Sequence, residues 1–181
     1  MNLTRRRWLL IGGGASLAAL ILVVMLFQLR EPAVLRYRVD LAAPGTELRT
    51  VTVYYLDGDS LSLSPVKREV LGGTSRRVLA QDLVTYLSEA PDRYRAPLPA
   101  GTRLVHFFED GEGEVILDFN APITTIQGRG IAEERLRLSA LVHTLAENVS
   151  GVDRIRLLVL GRPLEYWGEH LRTETLEVSR W

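Results

Sequence analysis

The 181-residue chain contains no cysteine, which excludes disulfide bonds, thiol catalysis, thiolate metal sites and lipid attachment through a lipobox cysteine. It also has no excess of either charge, because 22 basic residues face 22 acidic ones. This balance excludes a strongly basic nucleic-acid-binding protein, so we expect no nucleic-acid partner. Hydrophobic residues make up 46% of the chain, which excludes a charge-rich disordered protein. The length accommodates one domain of ordinary size and a short additional segment.

One segment near the start lacks charge altogether. Residues 8–29 contain no charged side chain, and a helix of that length spans roughly 33 Å against about 30 Å of bilayer hydrocarbon. Arg5, Arg6 and Arg7 precede the segment, and such a basic cluster favours the cytoplasmic side. We therefore predict a cytoplasmic segment at 1–7, a single transmembrane anchor at 8–29, and export of everything that follows.

Two other interpretations of this segment remain open. A cleaved signal peptide usually has about 7–15 apolar residues and a small-residue cleavage site, whereas this run is longer and ends in bulky side chains. The motif at 4–10 also resembles a twin-arginine export signal.

Residues 30–47 follow as a linker punctuated by Pro32, Pro44 and Gly45. Residues 30–181 carry 22 acidic and 19 basic residues, a net charge of −3, so bulk charge does not favour binding to an anionic membrane surface.

The predicted exported domain, residues 48–181, alternates strand-like and helix-like patterns. Asp57-Gly58 indicates a hairpin turn, Pro65 makes the second strand either an edge strand or an irregular one, and Ser75 is a suitable helix cap. We predict an α/β fold with a mixed sheet, made of two hairpin–helix units and a closing strand that together form one domain, preceded by one transmembrane helix. The predicted strands are 48–56, 61–70, 103–109, 114–119, 154–160 and 174–178, and the predicted helices are 76–89 and 131–149.

The second predicted helix carries the clearest apolar stripe, formed by Leu138, Leu141, Val142, Leu145 and Val149. We expect Leu141 and Leu145 to pack against the sheet, with Leu117 and Leu158 opposite them.

An ordered set of motifs resembles the GerMN domain, a module of bacterial sporulation and spore-germination lipoproteins. The first strand, Val-Thr-Val-Tyr-Tyr-Leu at 51–56, is similar to the start of that domain. Leu-Pro-Ala-Gly-Thr-Arg-Leu at 98–104, Glu-Gly-Glu-Val-Ile-Leu-Asp-Phe at 112–119, Leu-Ser-Ala-Leu-Val-His-Thr-Leu at 138–145 and Val-Asp-Arg-Ile-Arg-Leu-Leu-Val-Leu-Gly-Arg-Pro at 152–163 follow in the same order. The resemblance covers about residues 48–178.

The chain departs from the sporulation lipoproteins because it has no lipobox cysteine, one copy of the module instead of two, and a predicted membrane helix. The resemblance implies an exported, non-enzymatic module in envelope assembly, held in the bacterial inner (cytoplasmic) membrane by its N-terminal helix. In the sporulation proteins the module supports a ring-forming complex. We expect the partner to be an envelope protein or peptidoglycan, and we expect no cofactor. The rival interpretation is a peptidoglycan hydrolase or an activator of one.

The residues that could carry chemistry have ordinary structural interpretations beside the functional ones. His106, His143 and His170 lack zinc-site spacing, and we interpret them as structural. Four carboxylates lie within six residues, which suits either a solvated hairpin tip or a weak calcium site. These are Glu109, Asp110, Glu112 and Glu114.

An aromatic loop follows the last strong strand. Tyr166 and Trp167 are candidate partner-contact residues, because tyrosine and tryptophan anchor many interfaces and can stack on sugars. The alternative is that Trp167 packs on the sheet as a lid.

Overall fold

The structure, a computed structural model, describes residues 47–58, 60–126, 128 and 130–181. The predicted cytoplasmic segment, the predicted anchor and the linker up to residue 46 lie outside the described residues. Among the residues that the structure describes, no helix has the length and apolar character needed to cross a bilayer.

Two β-hairpins, each followed by a helix, form the framework in the predicted order. The first unit consists of β1 (Leu48–Asp57), β2 (Leu63–Leu71) and α1 (Arg76–Ser88), and the second of β4 (Leu104–Glu109), β5 (Glu114–Phe119) and α2 (Ile131–Asn148). The long strand β6 (Arg154–Val159) follows α2. The remaining strands are two residues long: β3 (Tyr94–Arg95), β7 (Arg162–Pro163), β8 (Tyr166–Trp167), β9 (Leu171–Arg172) and β10 (Leu176–Glu177). Short 3-10 helices lie at Ala121–Thr125 and Val178–Arg180.

The strands form separate sheets, whereas a single mixed sheet was predicted. The first sheet has the order β2-β1-β3 and is antiparallel. The second has the order β10-β6-β5-β4, with β7 also paired to β6, and is mixed because β5 and β6 are parallel. Strands β8 and β9 form a small hairpin of their own. The α/β class is therefore confirmed, and the predicted closing strand at 174–178 is reduced to β10.

The core is one cluster of buried residues from both sheets and both helices, and it contains the predicted core positions with one error of register. Leu141, Leu145 and Leu117 are all buried. Leu158 is only half-buried, and the preceding residue Leu157 occupies the core position. Successive strand residues point to opposite faces, so a choice that is wrong by one residue selects the opposite face.

Helix α2 of the second unit covers the edge of β1 in the first unit. The side-chain amide of Asn148 accepts a hydrogen bond from the backbone N–H of Thr52 at 3.0 Å and donates one to the Thr52 carbonyl at 2.7 Å. The hydroxyl of Thr144 accepts a bond from the N–H of Tyr54 at 3.0 Å. These side chains take the place of a neighbouring strand along an edge that β3 pairs only at Leu56 and Asp57.

Helix α1 of the first unit lies in turn along the edge of β4 in the second unit. The side chain of Gln81 donates to the Leu104 carbonyl at 3.3 Å, and Arg76 forms an ion pair with Glu109 at 3.0 Å. The predicted cap at the start of this helix is confirmed, because the hydroxyl of Ser75 accepts a hydrogen bond from the N–H of Val78. Each helix thus covers a strand edge of the other unit.

The outer edge of β2 offers an incomplete set of backbone groups for further strand pairing. Because the N–H of Thr52 points away from β2, its partner Lys67 and the alternate residues Pro65 and Glu69 turn their backbone groups outward. Pro65 has no N–H to offer, and the Glu69 carbonyl already accepts a hydrogen bond from the Tyr86 hydroxyl at 2.9 Å. The edge position predicted from Pro65 is confirmed.

Replacing Leu141 by Ala is expected to lower the free energy of unfolding by about 2–5 kcal/mol, because a fully buried leucine leaves a cavity when it is truncated. Leu158→Ala is the control. Leu158 is half-buried on the side of β6 that faces away from the core, so we expect a smaller loss there. Urea unfolding followed by circular dichroism measures both. Equal losses for the two variants would contradict the assignment of faces.

Replacing Asn148 by Ala is expected to lower the free energy of unfolding by about 0.5–1.5 kcal/mol for each hydrogen bond lost to the half-buried Thr52 backbone. Ser150→Ala is the control, since it lies two residues away on the surface. Thermal unfolding of both variants tests the edge contact. An Asn148→Ala variant as stable as Ser150→Ala would refute it.

Candidate functional site

One face of the second sheet points to solvent and carries apolar side chains. The register aligns Phe108, Ile116 and Arg156 across β4, β5 and β6, and it places Leu158 beside Asp118 in the next row. The alternate residues Leu117 and Leu157 face the core, so these rows face outward. Phe108 is 53% exposed, and Leu160 at the end of β6 is 66% exposed. We call Phe108, Ile116, Leu158 and Leu160 the outer face.

Leu160 lies in a turn whose backbone does not favour leucine. It joins β6 to β7 as the first residue of a two-residue turn and has φ of 51°, followed by Gly161 at 78°. This left-handed conformation costs about 1–2 kcal/mol for a residue with a β-carbon, and asparagine or glycine is usual there. Hydrogen bonds hold the turn in place, from the Leu160 N–H to the Phe119 carbonyl at 3.0 Å and from the Gly161 N–H to Asp118 at 2.9 Å.

The predicted structural interpretation of His106 fits its position beside the outer face. Its Nδ1 lies 3.0 Å from the buried carboxylate of Asp118, and its ring stacks on Phe108 with the ring centres 5.8 Å apart. The other carboxylate oxygen of Asp118 accepts the Gly161 bond. Asp118 therefore connects β4 to the turn that presents Leu160.

The two candidate contact residues face in opposite directions. Trp167 is completely buried in the core, whereas Tyr166 is 44% exposed. The alternation along β8 explains the difference, because fixing one side chain inward turns its neighbour outward. The structure thus places Trp167 in the position of a lid over the core and leaves Tyr166 as the side chain of this pair that can meet a partner.

Tyr166 borders a half-open depression of about 440 Å³. Its walls come from β6, from the segment around β8 and from β9, and they bring together aromatic, basic and acidic side chains. Arg172 packs against the Tyr166 ring, with its guanidinium carbon 5.8 Å from the ring centre. Arg156 lines this depression and also lies beside Ile116 of the outer face, so the outer face and the depression are adjacent. The remaining lining residues are Leu157, Pro163, Leu164, Glu165, Thr173 and Glu174.

The turn between β8 and β9 is held by the buried carboxylate of Glu134 at the start of α2. Glu134 accepts hydrogen bonds from the backbone N–H groups of Glu169 and His170 at 3.1 and 3.0 Å, and it lies 2.9 Å from Nδ1 of His170. Gly168 allows this approach, because a β-carbon there would lie 2.5 Å from the Glu134 carboxyl carbon. We call this arrangement the Glu134–His170 clasp.

The clasp shifts the pKa values of both partners. Burial acts to raise the pKa of Glu134, but the hydrogen bonds from the His170 ring and from two backbone N–H groups outweigh it, so the pKa lies below its ordinary value of 4.5. The hydrogen bond to Glu134 and the charge of that carboxylate raise the pKa of His170 above 6.5. Both shifts favour the charged pair.

The preceding glutamate holds a different segment of the chain. Glu133 accepts hydrogen bonds from Arg95 at 2.9 Å and from Arg137 at 2.8 Å, and it is buried. Arg137 also donates to the carbonyls of Ala96 and Pro97, both at 3.0 Å. The first turn of α2 thus fixes the chain after β3 through one glutamate and the β8–β9 turn through the next.

Three of the four carboxylates of the β4–β5 hairpin have protein partners, and the first, Glu109, pairs with Arg76. Asp110 accepts hydrogen bonds from the N–H groups of Glu112 and Glu114, and Glu114 forms an ion pair with Arg156 at 2.8 Å. Within the described ranges, no group of three or more potential metal ligands comes together. The third histidine, His143, lies against the ring of Tyr54 with the ring centres 5.5 Å apart.

Sequence reasoning did not identify Phe108, Leu160 or Arg172 as candidates. A Leu-Gly pair directly after a buried strand could have indicated an exposed leucine at a tight turn. Arg172 gave no such signal, because its place beside Tyr166 depends on the pairing of β8 with β9.

Comparison with known proteins agrees with the α/β fold of the described residues. Residues 52–165 match the Germane family, described as "Sporulation and spore germination". The match spans more than half of the chain, so the protein belongs to this family of GerMN domains, and the resemblance noted in the sequence is confirmed. No curated protein matched the chain.

Solved structures with the same fold come from Bacillus subtilis and Clostridium perfringens. The first GerMN domain of the sporulation protein GerM from Bacillus subtilis is 20% identical with a TM-score of 0.52, over 70% of this chain and 96% of that domain. The tandem GerMN domains of the same protein give a TM-score of 0.54 at 20% identity, over 72% of this chain, and the chain spans only 46% of their length. A candidate lipoprotein from Clostridium perfringens is 18% identical with a TM-score of 0.50, over 72% and 87% of the two chains.

The Glu134–His170 clasp is expected to make stability depend on pH on both sides of a plateau. The Glu134 contribution is present above 4.5 and is lost as pH falls through its lowered pKa. The His170 contribution is present below 6.5 and is lost as pH rises through its raised pKa. The stability difference between the wild-type chain and His170→Ala should therefore be largest between these two pH values and shrink on either side.

Thermal unfolding across pH measures this difference. His143→Ala is the control, because it also removes a histidine but one whose ring contacts Tyr54 and lies outside the clasp. A difference that stays constant from acidic to alkaline pH would contradict the clasp.

Proposed function

We propose that this protein is a membrane-anchored, extracytoplasmic GerMN protein that acts as a non-enzymatic binding or scaffolding module in assembly of the bacterial envelope. Its role concerns sporulation, germination or the cell wall, and its partner is an envelope protein or peptidoglycan. The observation that carries the proposal is the outer face, where Phe108 and Leu160 expose more than half of their surface.

The cost of presenting Leu160 supports a contact role. A leucine that is two-thirds exposed contributes little to the core, and its left-handed backbone costs stability. Strained, exposed residues are concentrated at functional sites. The Asp118 carboxylate and the Phe119 carbonyl accept hydrogen bonds that fix the backbone of the turn, so the position from which Leu160 projects is set before a partner arrives.

The similar proteins support the envelope setting. One is a sporulation protein and another is described as a candidate lipoprotein. The low identity transfers the fold, and the family match supplies the link to sporulation and germination.

The rival function, a peptidoglycan hydrolase or an activator of one, is favoured by one observation. Two histidines each lie within 3.0 Å of a carboxylate, at His106–Asp118 and at His170–Glu134. Each carboxylate also accepts backbone hydrogen bonds that hold a turn, and this arrangement supports a structural role for both pairs. Fragment release from purified peptidoglycan that disappears in His106→Ala or His170→Ala would establish the enzyme instead.

The predicted topology has a direct test in intact cells. We expect the full-length chain to remain in the membrane fraction and its C-terminal domain to be digested by external protease, because the uncharged run at 8–29 follows the basic cluster at 5–7. A cytoplasmic marker protein controls for lysis. A protease-protected domain, or a mature chain that begins after about residue 30, would contradict the retained anchor.

The outer face is tested by a substitution that separates binding from folding. Leu160→Asn is expected to raise the free energy of unfolding by about 1 kcal/mol, since asparagine tolerates the left-handed backbone. The same change should reduce partner capture by a photo-crosslinking residue placed at position 108 in the full-length chain in cells. A crosslinker at Lys67, exposed on β2, is the control position. Equal capture from both positions, unaffected by Leu160→Asn, would overturn the proposal.

A further inference from the structure

We infer that the depression beside Tyr166 is a carbohydrate-binding site whose ligand is an uncharged stretch of a glycan chain. This inference rests on the proposed function, which names peptidoglycan as one partner, and it concerns a set of side chains separate from the outer face. The cavity of about 440 Å³ falls in the range of small-molecule sites, which span about 300–1,000 Å³.

Both arginines of the depression are paired with carboxylates, which disfavours an anionic ligand. Arg156 pairs with Glu114 at 2.8 Å, and Arg172 pairs with Glu174 at 3.3 Å. Glu165 adds one further carboxylate at the rim. An anionic polymer would meet this carboxylate and two guanidinium groups that are already neutralised, so electrostatic attraction is missing.

The same paired groups suit a ligand that is rich in hydroxyls. A guanidinium group offers five N–H donors in a planar fork, and each carboxylate offers two acceptor oxygens. Hydroxyl groups both donate and accept hydrogen bonds. One hydroxyl of a sugar ring can therefore accept from Arg172 while the adjacent hydroxyl donates to Glu174, and the ion pair stays intact. Both side chains are mostly exposed, at 71% and 82%, so they reach a ligand without prior opening of the fold.

Tyr166 supplies the apolar part of the site. Arg172 packs against the ring, and the buried neighbour Trp167 fixes the backbone beside it. Nevertheless 44% of Tyr166 remains exposed. The face of an aromatic ring carries negative potential, which attracts the C–H groups that line one side of a hexose. An exposed and prefixed tyrosine ring beside hydrogen-bonding forks is therefore complementary to a sugar.

The frame around the depression is rigid. The buried Thr173 donates its N–H to the Glu165 carbonyl at 3.1 Å and its hydroxyl to the Leu164 carbonyl. The Glu134–His170 clasp holds the turn that separates Tyr166 from Arg172. The backbone segments that carry Tyr166 and Arg172 are thus held in place before the ligand arrives, which reduces the entropy cost of binding.

The test is titration of the full-length chain in detergent micelles with chitotetraose, a neutral chain of four N-acetylglucosamine units, by calorimetry and saturation-transfer NMR. We expect binding that weakens about tenfold or more in Tyr166→Ala, a loss of about 1.4 kcal/mol. Tyr166→Phe should bind within about twofold of wild type, because it keeps the ring. Arg172→Gln should weaken binding with the fold intact, as shown by its thermal unfolding.

Phe108→Ala is the matched control, since it removes an exposed aromatic residue of the outer face outside the depression. It should leave chitotetraose binding unchanged and reduce partner capture through the outer face. Absence of chitotetraose binding to the wild-type chain, or equal binding by Tyr166→Ala, would overturn the carbohydrate site. Binding of polyglutamate in preference to chitotetraose would overturn the neutral ligand. Capture of a protein by a crosslinker at Tyr166 without any chitotetraose binding would replace the glycan by a protein partner, and the proposed function would stand.

Discussion

The fold depends on the hydrogen bonds that Asn148 makes with the backbone of Thr52. Strand β1 is central to the first sheet, but most of its second edge has no strand beside it. A buried, unpaired N–H or carbonyl costs about 1–3 kcal/mol, so this edge requires partners from elsewhere. The side-chain amide supplies both, because it carries a donor and an acceptor in the spacing of a peptide group. α2 is thereby fixed against β1, and the two hairpin–helix units become one body.

With α2 fixed, its first turn determines where the surface loops lie. Glu133 and Glu134 are neighbours in sequence but hold different parts of the chain. Acidic residues in this turn are favoured by the helix dipole, and here their burial gives them a second role as anchors. The β8–β9 hairpin that carries Tyr166 and Arg172 is positioned in this way. The depression therefore lies at the end of a chain of contacts that begins inside the core.

The sequence predicted what periodicity and local chemistry determine. The strands of both hairpins, the two helices and the cap at Ser75 follow from patterns of apolar residues and turn signals, and the structure has them. The face of Leu158 was predicted wrongly, since a run of consecutive apolar residues in β6 does not show which of them point inward. The two-residue strands have too few residues to show any period. The outer face and the surroundings of Tyr166 arise from pairings between distant residues, and these pairings leave no local signal.

Because each helix covers a strand edge of the other unit, the order in which the chain can fold is restricted. Thr52 and Asn148 are separated by 96 residues, so the edge of β1 stays open until nearly the whole domain is available. Contacts of such long range slow folding, because the entropy of closing the loop is lost before the contact forms. Synthesis starts at the N-terminus, so β1 is made before α2. Until α2 is available, β1 is an uncovered strand edge, and such edges favour aggregation. The domain thus relies on completing its synthesis before its first hairpin is protected.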